Sequence, residues 1–362
     1  MTTEPSPAAL PCPAKPLRIG AVEIDFPVIQ AALSGYSDWP MRTIARRLGA
    51  PYALCEVLLD RFVVEVSRGA KAKRLLRADD EHPCGAQLMG AQPEAFPAAA
   101  LRLVAAGFDV IDLNFACPVK KVLGRRRGGW LLSDPHTALA IVARVRDALP
   151  SRVPLSIKLR RAFDDSPAAR EHFDQIVEGA WRLGVDALTI HGRTVRQRYE
   201  GRADWSSIAE LKRAAGSRTV LGSGDLYSAE QCLRMIAQCG VDGVTAARGA
   251  IGNPWIFRQC RDLAVGCSPH IPDLREQREV IAGHYRLAEE HYGPLRCCAR
   301  MRKFGIKYAR LHPLHRQVRD AFVAAADAEQ WFAVLERWYA DASPGRNPDA
   351  LAAEFFDESE GE

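Results

Sequence analysis

The chain has 362 residues, of which 48% are hydrophobic and 26% charged, with a net charge of +5. That composition matches soluble globular proteins and is long enough for one barrel-sized domain plus a smaller one. No stretch approaches the roughly eighteen apolar residues of a membrane span, and the ten cysteines show no CxxC, no zinc spacing and no small disulfide framework, which points to a reducing cytoplasm.

Met1 to Pro16 is rich in Pro and Ala and lacks a basic start before an apolar core, so residues 1–16 are expected to be a disordered tail and not a signal peptide. From Leu17 to about Phe257 short apolar runs alternate with helix-compatible segments. The candidate strands are Pro27–Ala31, Tyr52–Leu54, Cys84–Leu88, Val110–Leu113, Pro154–Leu159, Ala187–Ile190, Thr219–Leu221 and Gly243–Ala246. Helix starts are marked by Asp134-Pro135 and Ser166-Pro167, a capping side chain before a proline at the first helical position, and by the capping-box form of Ser228 to Gln231. Leu139, Val142, Val145 and Leu149 then recur at helical spacing.

Eight such βα units fit the size of a closed (β/α)8 TIM barrel, about 250 residues, here over 17–265. A doubly wound open sheet is the rival, weakened because no G-x-G-x-x-G follows the first strand. After Pro272 the strand-like runs stop. Leu274 to Tyr292, Leu295 to Leu311 and Asp327 to Tyr339 are helical in pattern, with breaks at Gly293-Pro294 and His312-Pro313. The α/β barrel is thus followed by a smaller all-helical C-terminal domain over 272–342, then a polar, acidic tail over 343–362.

In a parallel barrel the active site lies where strands end. Those positions hold Ala32-Leu33-Ser34-Gly35, Glu56, Gln87, Asn114 with Cys117, Lys158 with Arg160, His191 with Arg193, Ser223-Gly224-Asp225 and Ala247-Arg248-Gly249. Carboxylate pairs are scarce, which argues against glycosidase chemistry. The glycine turns after strands seven and eight, with Arg248, stand where barrels commonly hold a phosphate. Lys158 lies inside an apolar run, and an inward ammonium needs an electron-rich partner. Gln87 and His191 could hydrogen-bond a flat heterocycle.

Cys117 follows a strand that Pro118 forbids from continuing. Its thiol, with an ordinary pKa of about 8.5, can act as a general acid, or as a nucleophile where cations lower that pKa. Lys120, Lys121, Arg125, Arg126 and Arg127 follow at once, and Arg296, Arg300, Arg302, Lys303, Lys307 and Arg310 form a second basic set in the helical segment. Together they suggest an extended polyanion. No metal site is expected.

In these residues the chain resembles the bacterial branch of the tRNA-dihydrouridine synthase family. The matching stretches are Leu17–Asp38, Ala86–Gly90, Asp112–Val122 (DLNFACPVKKV), Ser156–Arg160 (SIKLR), Ile190–Thr194 (IHGRT), Gly222–Asp225 and Ala247–Phe257 (ARGAIGNPWIF), in unbroken order from about Leu17 to Tyr308. The resemblance implies an FMN-binding barrel and a helical tRNA-binding domain. It implies that NADPH reduces FMN, that hydride passes to C6 of a tRNA uridine, and that Cys117 protonates C5. Asn114 resembles a uracil contact, with Lys120, Lys121, Arg193, Arg302 and Lys303 as further substrate contacts. Ala32, Leu33, Ser34, Gln87, Lys158, His191, Ser223, Gly224, Asp225, Ala247 and Arg248 match the FMN site.

The chain departs from the family pattern at four places. Ala32-Leu33 stands for Pro-Met, Ser223 for Asn, Ala116 for the Gly before the cysteine, and Ala247 for the Gly before Arg248. The Arg125–Arg127 triplet also differs from a more mixed family loop. The expectation is a monomeric cytoplasmic enzyme. The alternatives are a small-pyrimidine FMN oxidoreductase resembling dihydroorotate dehydrogenases, and a tRNA-binding relative with weakened catalysis.

Overall fold

The computed structural model describes residues 15–66, 69, 76–78, 80 and 82–348. The chain opens with a hairpin of β1 (Leu17–Ile19) and β2 (Val22–Ile24), turning at Gly20 with φ +57°, where a Cβ would lie 2.7 Å from Asp186 Oδ1. The eight barrel strands follow: β3 (Val28–Gln30), β4 (Ala53–Leu59), β5 (Cys84–Met89), β6 (Val110–Phe115), β7 (Leu155–Arg160), β8 (Ala187–His191), β9 (Thr219–Ser223) and β10 (Gly243–Ala246). All neighbours pair in parallel, and β10 closes on β3. Closure confirms the barrel and excludes the open sheet.

Barrel strands face side chains on one side and helices on the other, so β5 and β6 are buried at every position. Among the described residues, the helices that follow these strands are α1 (Trp39–Arg47), α2 (Asp60–Glu65), α3 (Phe96–Ala105), α4 (Lys120–Leu123), α5 (Pro135–Ala148), α6 (Pro167–Arg182), α7 (Trp205–Ala215), α8 (Ala229–Cys239) and, after β10, α9 (Ile256–Ala264). The expected caps form: Asp134 accepts from the Thr137 N–H, Ser166 from that of Ala169, and Ser228 and Gln231 make a reciprocal capping box.

The sequence pattern differs from the structure in three places. The β1–β2 hairpin is not apparent from it; it plugs the barrel bottom, packing Leu17, Ile19 and Ile24 with Ile29, Tyr52, Val110 and Ala187. Strand β4 is longer than Tyr52–Leu54 and carries an irregularity between Leu54 and Val57, so Glu56 lies within the strand and its carboxylate accepts from the Gly35 N–H. In the helical region, α10 (Leu274–Tyr292), α11 (Pro294–Tyr308) and α13 (Ala328–Trp338) correspond to the expected helices, and α12 (His315–Ala324) is additional.

These helices enclose an aromatic core that includes Tyr285, Phe304, Tyr308, Phe322 and Trp331. The barrel enters it through Trp255, wholly buried, with Nε1 donating to Glu276 Oε1 at 2.7 Å. Emptying such an aromatic site costs about 3–5 kcal/mol, so this one residue is a substantial tie between the two regions. Across the same boundary, the Tyr292 hydroxyl donates to Asp38 Oδ2 at 2.7 Å. Beyond α13 the Arg346 N–H returns to the Leu311 carbonyl at 2.8 Å. The expected tails lie largely outside the described residues. Among the described residues, no helix is long and apolar enough to cross a membrane.

Candidate active site

The C-terminal ends of the strands open into a cavity of about 490 Å³, a volume typical of small-molecule and cofactor sites. On one wall, β6 ends and the turn Ala116-Cys117-Pro118 begins. Asn114 Oδ1 accepts from the N–H groups of Ala116 and Cys117 at 3.1 and 3.0 Å. The Ala116 carbonyl accepts from Arg160 Nε at 2.9 Å, and the Cys117 carbonyl accepts from the Gly129 N–H at 3.0 Å. Gly128, with φ +58°, lies where a Cβ would come within 2.8 Å of Cys117 Cβ, so only glycine lets this loop close over the thiol. Burial pushes the Cys117 thiol up, outweighing the downward pull of the Val119 N–H and the Arg160 guanidinium.

Lys158 also lines the cavity. Its ammonium meets Ser223 Oγ at 3.2 Å and Thr245 Oγ1 at 3.5 Å, both neutral. Burial pulls its pKa down to about 8, opposed by attraction to Asp112 and reinforced by Arg160. His191 ends β8, and its Nδ1 accepts from the Arg193 N–H at 3.1 Å. That bond leaves Nε2 to carry the proton of a neutral ring. The ring stays neutral because burial, then Arg160, Lys158, Arg193 and Arg248, hold its pKa well below the usual histidine value.

The turns after β9 and β10 complete the wall. Asp225 adopts φ 56°, a conformation Asp tolerates better than most residues. Its carboxylate faces away from the opening: it meets Arg193 Nη1 at 2.8 Å and Nη2 at 2.9 Å and accepts from the Ala203 N–H at 2.7 Å. A Cβ on Gly224 would fall 2.7 Å from Ala203, and one on Gly249 would fall 2.3 Å from the Leu226 carbonyl. Arg248 places its guanidinium 4.8 Å from the centre of the Tyr199 ring and 5.0 Å from that of Tyr227, and all three line the cavity.

The model of the dihydrouridine synthase (Dus) family matches residues 29–342. A probable tRNA-dihydrouridine synthase of Mycobacterium tuberculosis is 32% identical over 345 residues, covering 92% of this chain and 85% of its own. tRNA-dihydrouridine synthase B of Pseudomonas aeruginosa is 32% identical over 339 residues, covering 90% and 96%. The chain belongs to the dihydrouridine synthase family. Among solved structures, histamine dehydrogenase from Rhizobium sp. 4-9 aligns at a TM-score of 0.55 and 16% identity, over 74% of this chain and 50% of its own. A 2-naphthoyl-CoA reductase aligns at 0.56 and 11%, over 69% and 52%. The chain spans about half the length of these two structures, and the likeness is one of fold.

Membership of the dihydrouridine synthase family makes the chain an oxidoreductase by class and implies a flavin. The cavity fits one. Lys158 has no anionic partner within hydrogen-bonding distance among the described residues, and the small residues Ser223, Gly224 and Ala247 line the cavity beside the Arg248 cation, a donor set suited to an anion.

Ala32, Leu33, Ser34, Asn114, Cys117, Lys158, His191, Ser223, Gly224, Asp225, Ala247 and Arg248 all line this cavity. Other residues singled out in the sequence do not. Gln87 is wholly buried beneath it, between Asp112 and Asn114. Arg193 is 1% exposed and turned toward Asp225. Lys120 and Lys121 lie exposed on α4, beyond the thiol. Arg302 Nε donates to the Ala325 carbonyl within the helical region at 3.1 Å, and Lys303 Nζ sits 4.4 Å from the ring centre of Tyr36 at the rim. Arg160, Tyr199, Tyr227 and Thr245 line the cavity without having been chosen. Of these, Arg160 alone had a signal, two residues after Lys158 at a strand end.

Proposed function

We propose that the chain reduces the C5–C6 bond of a uridine in tRNA, with FMN as its flavin and NADPH as the reductant. The observation that carries this reading is a thiol kept protonated by burial, in the same cavity as Lys158 and His191. Bound FMN, reduced by NADPH, supplies the hydride for C6.

The residues of the chain do the rest. Cys117 gives its S–H proton to C5 and recovers it from solvent; an uncharged acid adds no fixed charge to a site that a base must enter. Asn114 offers its remaining Nδ2 hydrogen to a uracil carbonyl, its oxygen being committed to the thiol turn. Lys158 and His191 Nε2–H would hydrogen-bond a bound flavin; Ala32, Leu33 and Ser34 would help hold its ring, and Ser223, Gly224, Asp225 and Ala247, with Arg248 as the cation, would hold its phosphate. Gln87 supports the site through Asn114, and Arg193 through Asp225.

Outside the cavity, Lys120 and Lys121 meet the phosphates of a tRNA whose uridine has left its stack. Arg302 and Lys303 extend that surface onto the helical region. Ala116 lines the cavity beside the thiol, so its methyl bears on which uridine is accepted. The enzyme works as a cytoplasmic monomer.

Purified protein is expected to be yellow. Cys117→Ala should keep flavin and tRNA binding while product formation falls by about 10²-fold or more. Mapping dihydrouridine by position in tRNA, with and without the gene, identifies the site; unchanged content in the absence of a redundant enzyme rejects the activity.

A further inference from the structure

Beneath the thiol, polar side chains of three neighbouring strands form one continuous line. Ser156 Oγ donates to Asp112 Oδ1 at 2.6 Å, and Gln87 Nε2 donates to Asp112 Oδ2 at 2.6 Å. Asn114 Nδ2 donates to Gln87 Oε1 at 2.7 Å, and Asn114 Oδ1 accepts from the Ala116 and Cys117 N–H groups. Barrel register enforces the line, since Asp112 stands opposite Gln87 on β5 and opposite Ser156 on β7.

The direction of this line is set from both ends. Backbone N–H groups can only donate, so Asn114 must turn its oxygen to the Cys117 turn and its amide to Gln87. Gln87 then accepts with Oε1 and has its own amide left for Asp112. A carboxylate can only accept, so the far end agrees. Each amide is left with one workable orientation, and Asn114 shows the cavity an N–H instead of an oxygen.

Burying a carboxylate is expensive, and a leucine would fill a strand flanked by Ile111 and Leu113 more cheaply. We propose that Asp112 is a positioning residue for the proton donor: it fixes Gln87, through Gln87 it fixes Asn114, and so it fixes the turn that carries Cys117. The inference rests on Cys117 being the acid.

The test removes the hydrogen bonds at position 87 and compares a replacement that keeps them. Gln87→Met, similar in length and without hydrogen bonds to offer, breaks the line. Gln87→Glu keeps it, because two buried carboxyl groups share one proton, so the new O–H donates to Asp112 while the new carbonyl accepts from Asn114. Two half-reactions are followed in flavin-loaded protein, reduction by NADPH and tRNA-dependent reoxidation. Peptide-resolved alkylation of Cys117 is followed in flavin-free protein.

Gln87→Met should slow reoxidation about tenfold or more and change the alkylation rate, consistent with losing a buried hydrogen bond. Flavin reduction should stay within about threefold, and Gln87→Glu should keep reoxidation and alkylation within about threefold of the parent. Wild-type reoxidation in Gln87→Met, an equal fall of both half-reactions, or a folded Gln87→Glu that behaves like Gln87→Met would overturn the proposal. Where Gln87→Met does not fold, Asp112→Leu, which removes the acceptor, should show the same selective loss. Cys117→Ala separates the two levels: wild-type reoxidation there removes the acid assignment itself, whereas slow reoxidation there with an unaffected Gln87→Met removes only the role of Asp112.

Discussion

Lys158 should destabilise the protein that it equips for catalysis. Its pKa falls from 10.5 to about 8, mainly through burial. At about 1.4 kcal/mol per pH unit, the charged form is disfavoured in the folded chain by about 3 kcal/mol, an order-of-magnitude figure. Lys158→Met removes that burden, so flavin-free variant should resist urea better than the parent at neutral pH. The gap should shrink with pH in a defined window. Below about pH 8 both folded and unfolded parent hold the proton and the gap is constant. Between about pH 8 and 10.5 the unfolded parent binds more protons than the folded one, so the stability of the parent rises toward that of the variant. Urea denaturation of both proteins at about pH 7, 9 and 10 reads this directly. A variant less stable than the parent at neutral pH, or a gap that does not change with pH, would refute the argument. Loaded with flavin, the order should reverse, because the variant lacks the group that draws the cofactor in.

Arg193→Met leaves the Asp225 carboxylate buried without its main partner, and should cost about 3–5 kcal/mol together with much of the bound flavin, read by thermal melting and by flavin absorbance. Alanine at Lys120, Lys121 and Arg125 should leave flavin content unchanged and flatten the dependence of log K for tRNA on log salt, by about one for each phosphate no longer neutralised. The single-turnover rate of tRNA reduction should hold through neutral pH and fall as pH rises through the raised pKa of Cys117, because the acid form is the active one. In Cys117→Ser that limb should vanish from the slow residual rate.

The barrel is legible in the sequence because strands buried on both faces read as nearly continuous apolar runs, as Val110 to Leu113 does. The β1–β2 hairpin is not, since three-residue strands such as Leu17–Ile19 are too short to show a period. Helix α12 is hidden for a related reason: along His315–Ala324 only Val318 and Phe322 are buried, so its apolar stripe is two residues long. Strand ends locate the cavity residues well. They do not say which side chains are already engaged by their neighbours. Arg193 turns away from the cavity because its partner, Asp225, comes from the next strand's turn, 32 residues on. Asp112 did leave a signal that periodicity could find. Asp112 and Asn114 on β6, and Ser156 and Lys158 on β7, are polar residues two apart in otherwise apolar strands, which places them on the inner face of the barrel.

The charge around Cys117 shows most clearly what the fold adds. In sequence the thiol precedes five cations within ten residues, an arrangement that would lower its pKa and favour a nucleophile. In three dimensions that charge is separated from the sulfur by depth. Lys120, Lys121, Arg125 and Arg126 are exposed, where solvent and salt screen them. Arg160, the cation that does act on the thiol, directs its guanidinium to the carbonyls of Ala116, Thr194 and Arg198 at 2.9, 2.8 and 2.5 Å. Burial therefore decides the direction, and the thiol pKa rises. A thiol that stays protonated can be an acid at neutral pH, and the same exposed cations remain available for phosphates. Two tasks that conflict along the sequence are compatible in the fold because they are carried out at different depths.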